Sequence, residues 1–384
     1  MPEKLVQTPS RRDTNLELFR CIMMLLIIAH HYVVNSGLLA TDGHVWKEPC
    51  SWRSLFLLIF GAFGKTGINC FVLITGYYMC KSAITARKYF RLLAEIYFYK
   101  IAINCLFILF GIRMITSKLV LALVLPFWGV NRDFVGCFIL FYLFIPFLTK
   151  LVLNMTARQH VYLTVLCLVV YTIVEPIPFM SVPMHYVSWF IVLFLIASFM
   201  RLHMGKYMEQ KNTFWTMGGV LLLLMIDIAS IVFISCLSGH VPWHSHWEYY
   251  FVGESNRPLP LLTGIMAFVV FKKLRLPYIP IINLMGASTF GVLLIHAHSD
   301  TMRRWLWHDI LNNVEMFNSP WLIAHAIGSI LVIFIVCVAI DRLRLRFIEP
   351  PIMACFDKLW PSVVRNYSCF ENWFAKVTHC FWGV

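Results

Sequence analysis

Charge is scarce in this sequence: only 13% of its 384 residues are Asp, Glu, Lys or Arg, and the acidic ones number 19. A soluble domain carries about a quarter charged residues. With 60% hydrophobic residues and a mean hydropathy of +0.74, such a fold is excluded. Any CxxC pair is missing too, so the 12 cysteines support neither a zinc knuckle nor a disulfide scaffold. Most of them, such as Cys21, Cys70, Cys105, Cys137, Cys167 and Cys337, lie in apolar runs and act there as small apolar side chains. A polar segment precedes the first apolar run and no small-residue cleavage site follows it, so that run is expected to stay in the mature protein.

What the chain does have is apolar runs long enough to cross a bilayer, recurring from end to end. They predict about ten spans, near residues 17–38, 55–78, 90–112, 134–153, 160–178, 184–201, 214–238, 258–273, 281–298 and 320–342. The expected fold is therefore an all-α, polytopic membrane bundle. The net charge of +13 follows the spans rather than forming a patch. Lys4, Arg11 and Arg12, then Lys81, Arg87, Lys88 and Arg91, then Lys150 and Arg158, Arg201, Lys206 and Lys211, Lys272, Lys273 and Arg275, and Arg342, Arg344 and Arg346 all fall on one side. By the positive-inside rule both termini are expected in the cytoplasm, and nucleic acid is not an expected partner. The expected divisions are a cytoplasmic segment 1–14, a transmembrane domain 15–346 and a cytoplasmic tail 347–384, with aromatic residues and prolines in the tail.

Within the first span, NLELFRCIMMLLIIAHHYVVNSGL, polar groups interrupt an apolar helix. At about 100° per residue Arg20 and His31 lie three turns apart on one stripe, flanked by Glu17 and Asn35, while His30 points away. With a rise of about 1.5 Å per residue, His31 stands roughly 16 Å beyond Arg20, near mid-membrane. A lone buried histidine is most simply a helix-packing hydrogen bond. The aligned arginine and carboxylate favour a functional site.

The second span, GAFGKTGINCFVLITGYYMCK, carries Lys65 and four glycines, which fit either close helix packing or an interrupted helix lining a cavity. In ARKYFRLLAEIYFYK, Arg87, Lys88 and Arg91 stand at the start of the third span with Glu95 one turn inside. Such a cluster can hold phosphates or anchor lipid headgroups. Asp227 sits inside the seventh span, where a carboxylate is costly. His240, His244 and His246 have ligand-like spacing but no supporting frame for a metal. Their neighbours Trp243, Trp247, Tyr249 and Tyr250 suit an interfacial belt or a sugar-stacking surface. His296 and His298 end the ninth span as candidate pocket residues. No metal site is expected.

Together these stretches resemble the integral-membrane acyltransferase family 3. Its first helix carries an acidic residue three before an arginine, then a histidine after ten intervening residues, matched here by Glu17, Arg20 and His31. GINCFVLITGYYM, FVGCFILFYLFIPFL, MHYVSWFIVLFLIASFMRL and ASTFGVLLIHAHSD, ending near His296, are similar to its later segments and in its order. The first segment has Thr75 where the family has serine. The resemblance implies a ten-helix enzyme passing an acyl group, usually acetyl, from cytoplasmic acyl-coenzyme A to a hydroxyl of an envelope glycan. It implies a multi-pass protein of the bacterial plasma membrane. His31 would be base or acyl carrier, Arg20 with Glu17 would orient it or the donor, and Arg87, Lys88 and Arg91 would meet the coenzyme. Asn35, Asp227 and His296 are expected to line the acceptor pocket. Acyl-coenzyme A would be a substrate, with no permanently bound cofactor. A neutral imidazole can take the proton of a weak hydroxyl nucleophile as it attacks a thioester. Intramembrane Arg, His, Asp and Glu would also suit a proton-coupled transporter or polysaccharide flippase, but the sequence has no inverted repeat and no matched broken helices.

Overall fold

Apolar stretches without water satisfy their backbone only as helices or in closed barrels, and helices are what form. The computed structural model describes residues 13–40, 42–125, 134–175, 177, 180, 182–210, 212–238 and 247–382, with side chains omitted at 206, 238 and 366–382. The main helices are α1 (Thr14–Val34), α2 (Trp52–Gly61), α3 (Gly64–Met79), α4 (Ala86–Leu109), α5 (Phe134–Asn154), α6 (Ala157–Leu168) and α7 (Tyr186–His203). They continue as α8 (Thr213–Ser238), α9 (Pro258–Lys273), α10 (Pro280–Ala287), α11 (Thr289–His296), α12 (Leu322–Leu343) and α13 (Glu349–Trp382). Among the described residues no strand occurs, and eight helical stretches are long and apolar enough to cross a membrane.

Two of the ten expected spans depart from that description. The span expected at 258–273 is α9, 16 residues long. The one expected at 281–298 is two short helices, α10 and α11, broken at Ser288. At the break the Thr289 hydroxyl donates to the Gly286 carbonyl at 2.9 Å. Hydropathy registers an apolar run and is blind to such a break.

The second expected span is interrupted as well, between α2 and α3 at Ala62 and Phe63. Close packing accounts for its glycines. Gly61 abuts Val33, Gly64 abuts the ring of His30, Gly67 abuts Ile27 and the Met23 carbonyl, and Gly76 abuts Ala197, each without room for a Cβ to be added freely. The small residues let α3 lie against α1 on one face and α7 on the other.

α1 is the hub of the bundle, packed against α2, α3, α10 and α12. α3 in turn packs against α7 and α9. Phe141, Trp189, Phe190 and Phe194 fill one core between α5, α7 and α3, while Tyr32, Trp307 and Phe317 anchor a second beside α1 and α12. At the periphery, α8 exposes Leu221, Leu222, Met225 and Ile226, an apolar face suited to lipid. The expected tail is helical: a wider π turn at Arg344–Ile348 carries α12 onward into α13.

Candidate active site

α1 delivers polar groups to both of its ends. At its C-terminal end, Nδ1 of His31 lies 3.1 Å from Nε2 of His296, the last residue of α11. His296 is buried and its Nδ1 stands 2.6 Å from the Val292 carbonyl one turn back; His31 is half-buried. His30, pointing elsewhere on the helix, places Nδ1 2.7 Å from the Gly61 carbonyl, which the break between α2 and α3 leaves free. His30 is thus a packing histidine at a helix break and His31 is the one in a polar pair.

Cations surround this pair. Lys65, at the start of α3, donates to the Tyr186 hydroxyl at 3.0 Å and lies 3.6 Å from Glu254, within electrostatic reach of both His30 and His31. Arg303 donates to Asp300 at 2.8 Å and also reaches His31 and His296 electrostatically. His298 accepts from the Asn104 amide at 2.9 Å, and Arg113 donates to the same amide's oxygen at 2.5 Å. Lys65 stood out in the sequence as a charge among glycines. Arg303, Arg113 and Asn104 gave no signal there, because only folding brings the loop beyond α11 beside α4.

At the opposite end of α1, Arg20 donates to Glu17 at 3.0 Å, one turn away. Glu17 is buried against Gly286, which leaves no space for a side chain there. The ring nitrogen of His31 therefore bonds to His296, and the described bond of Arg20 goes to Glu17, about 16 Å along the helix. Nearby, Tyr78 donates to Asp13 at 2.8 Å, Lys272 approaches the same carboxylate at 3.2 Å, and Arg201 donates to Tyr77 at 3.0 Å. Partial burial pushes the Asp13 carboxyl up, but the Tyr78 hydroxyl and the Lys272 ammonium more than offset it and hold it below the usual range.

The remaining residues singled out by sequence lie in other contacts. Arg87 is bidentate to Asp357 at 2.8 and 3.0 Å, Arg91 pairs with Glu349, and Lys88 donates to Ser82 and the Ala83 carbonyl at 3.1 and 2.8 Å. All three meet α13 or their own loop. Asn35 closes α1, its backbone N–H donating to the His31 carbonyl at 3.1 Å. Buried Asp227 accepts from Thr263 at 2.9 Å and so ties α8 to α9. Tyr249 is buried with its hydroxyl donating to Leu58 at 2.8 Å, which removes it from any sugar-stacking surface. His240, His244, His246 and Trp243 lie outside the described residues.

A family model described as an acyltransferase domain matches residues 13–342, from the residue before α1 into the last turn of α12. No curated protein and no solved structure matches the chain.

Proposed function

The chain belongs to acyltransferase family 3 and is a membrane acyltransferase, and from that premise we propose that it moves an acyl group, acetyl foremost, from cytoplasmic acyl-coenzyme A to a hydroxyl of an envelope glycan. His31 is the general base and Arg20, with Glu17, meets the donor. The observation that carries this reading is the division of α1: a half-buried histidine held by a second histidine at one end, and an arginine with a neighbouring carboxylate at the other. Their separation of about 16 Å suits a long donor lying along the helix, its phosphates near Arg20 and its thioester near His31. The balance of the step is simple. The acceptor O–H proton passes to His31 as the oxygen bonds the thioester carbonyl carbon; the C–S bond breaks and the proton returns to the thiolate.

In this reading both termini are cytoplasmic and the bundle sits in a bacterial plasma membrane. The test is transfer of label from radioactive acetyl-coenzyme A by membranes holding the wild-type chain or His31→Ala, with a cell-envelope extract as acceptor. Label incorporated by the wild type and lost in His31→Ala is expected; equal incorporation by both removes His31 from the chemistry.

A further inference from the structure

Two hydrogen bonds in series fix which nitrogen of His31 carries the proton. A carbonyl oxygen only accepts, so the 2.6 Å contact from His296 Nδ1 to Val292 places a hydrogen on that Nδ1. With His296 neutral, its Nε2 is then a bare acceptor. The 3.1 Å contact to His31 Nδ1 therefore takes its hydrogen from His31, and a neutral His31 is left with a bare Nε2. We propose that His296 is a positioning residue that locks His31 in the Nδ1–H tautomer, presenting Nε2 as the base. A neutral imidazole does here what a carboxylate does in a serine-hydrolase triad, holding tautomer and ring angle without taking part in bond making.

The surroundings agree with a lock rather than a loose contact. The acceptor side is rigid: His296 is the final residue of α11, its ring is buried at 1% exposure, and Val292 lies in the same helix. The donor side is half-buried, so His31 is the ring that substrate can reach. When Nε2 takes a proton, the added charge strengthens the Nδ1–H bond to His296, because a charged donor makes the stronger hydrogen bond. The opposite, Nε2–H tautomer would instead turn the hydrogen toward the substrate and leave no base there.

The inference rests on the proposed role of His31, but its first test needs no catalysis. The full chain, labelled with nitrogen-15 in histidine and placed in lipid nanodiscs, gives separate solid-state signals for protonated and bare ring nitrogens, with His31 identified by its loss in His31→Gln. Expected is His31 with Nδ1 protonated and Nε2 bare in the wild type. His296→Gln, whose amide oxygen still accepts, keeps that tautomer. His296→Leu loses it and lowers kcat roughly tenfold or more while KM for acetyl-coenzyme A stays within about twofold, the pattern of an interaction made in the transition state. A protonated Nε2 on wild-type His31 overturns the lock, as does a His296→Leu protein with tautomer and kcat both intact. An Nδ1–H tautomer in a wild-type protein that transfers no acyl group upholds the lock and counts against acyl transfer alone.

Discussion

His31 and His296 are 265 residues apart in sequence and 3.1 Å apart in space, whereas His30, adjacent to His31, bonds the Gly61 carbonyl instead. Neighbours in sequence thus have different work. A general base contributes about a hundredfold to ten-thousandfold, so His31→Gln is expected to lower kcat by that range. His30→Gln keeps an amide donor for Gly61 and is expected to stay within a few-fold of wild type. Initial rates of label transfer, normalised to inserted protein, separate the two; a larger loss in His30→Gln would hand the base to His30.

Arg20 offers a finer question, because its described partner is Glu17 rather than His31. A lysine at this position keeps the charge and can keep the ion pair, but it loses the planar fork that binds a phosphate through two hydrogens. Arg20→Lys is therefore expected to raise KM for acetyl-coenzyme A about tenfold, worth about 1.4 kcal/mol, with a smaller change in kcat. A fall in kcat at unchanged KM would place Arg20 in the chemical step.

Arg87 and Asp357 form an exposed bidentate pair, side chains 55% and 49% accessible. Exposed pairs of this kind are screened by water and hold weakly, so a multiply charged donor displaces the carboxylate at little cost. Asp357→Asn is expected to lower KM for acetyl-coenzyme A severalfold, and Arg87→Gln to raise it. Both effects weaken as salt rises. Unchanged KM in both variants would leave Arg87 as an anchor for α13 and nothing more.

The helical class was legible because span length and composition are local properties. So was the first helix as the centre of the protein, since Glu17, Arg20 and His31 interrupt a run that is otherwise apolar. Legibility ended where a partner lies far along the chain. His296 read only as a pocket residue, because its partner His31 lies 265 residues away and nothing local to either histidine announces the other. Asp227 read as a costly intramembrane charge, and its bond is to Thr263 on the helix packed beside it. The basic residues in the first turns of α4 read as able to hold phosphates or to anchor lipid headgroups, and their partners could not be seen: α13 brings Glu349 and Asp357 to Arg91 and Arg87.

The same helix junction holds the most heavily committed cation of the described residues. Arg344, 4% exposed in the π turn after α12, reaches Glu95 at 3.0 Å, Asp341 at 2.9 Å and Glu349 at 2.8 Å, and Tyr99 donates to Asp341 at 2.8 Å. One guanidinium thus faces three carboxylates from α4, α12 and α13, where its fork can satisfy several acceptors at once and a single ammonium cannot. Removing one partner of a buried ionic cluster costs about 3–5 kcal/mol, because the others stay buried without it. Arg344→Met is accordingly expected to unfold at markedly lower temperature or SDS fraction, with Arg344→Lys intermediate. Adding Glu95→Gln and Asp341→Asn to Arg344→Met should recover part of the loss, since fewer buried charges then lack a counter-ion. If the triple variant is no more stable than Arg344→Met alone, the arginine stabilises this junction by packing rather than by charge.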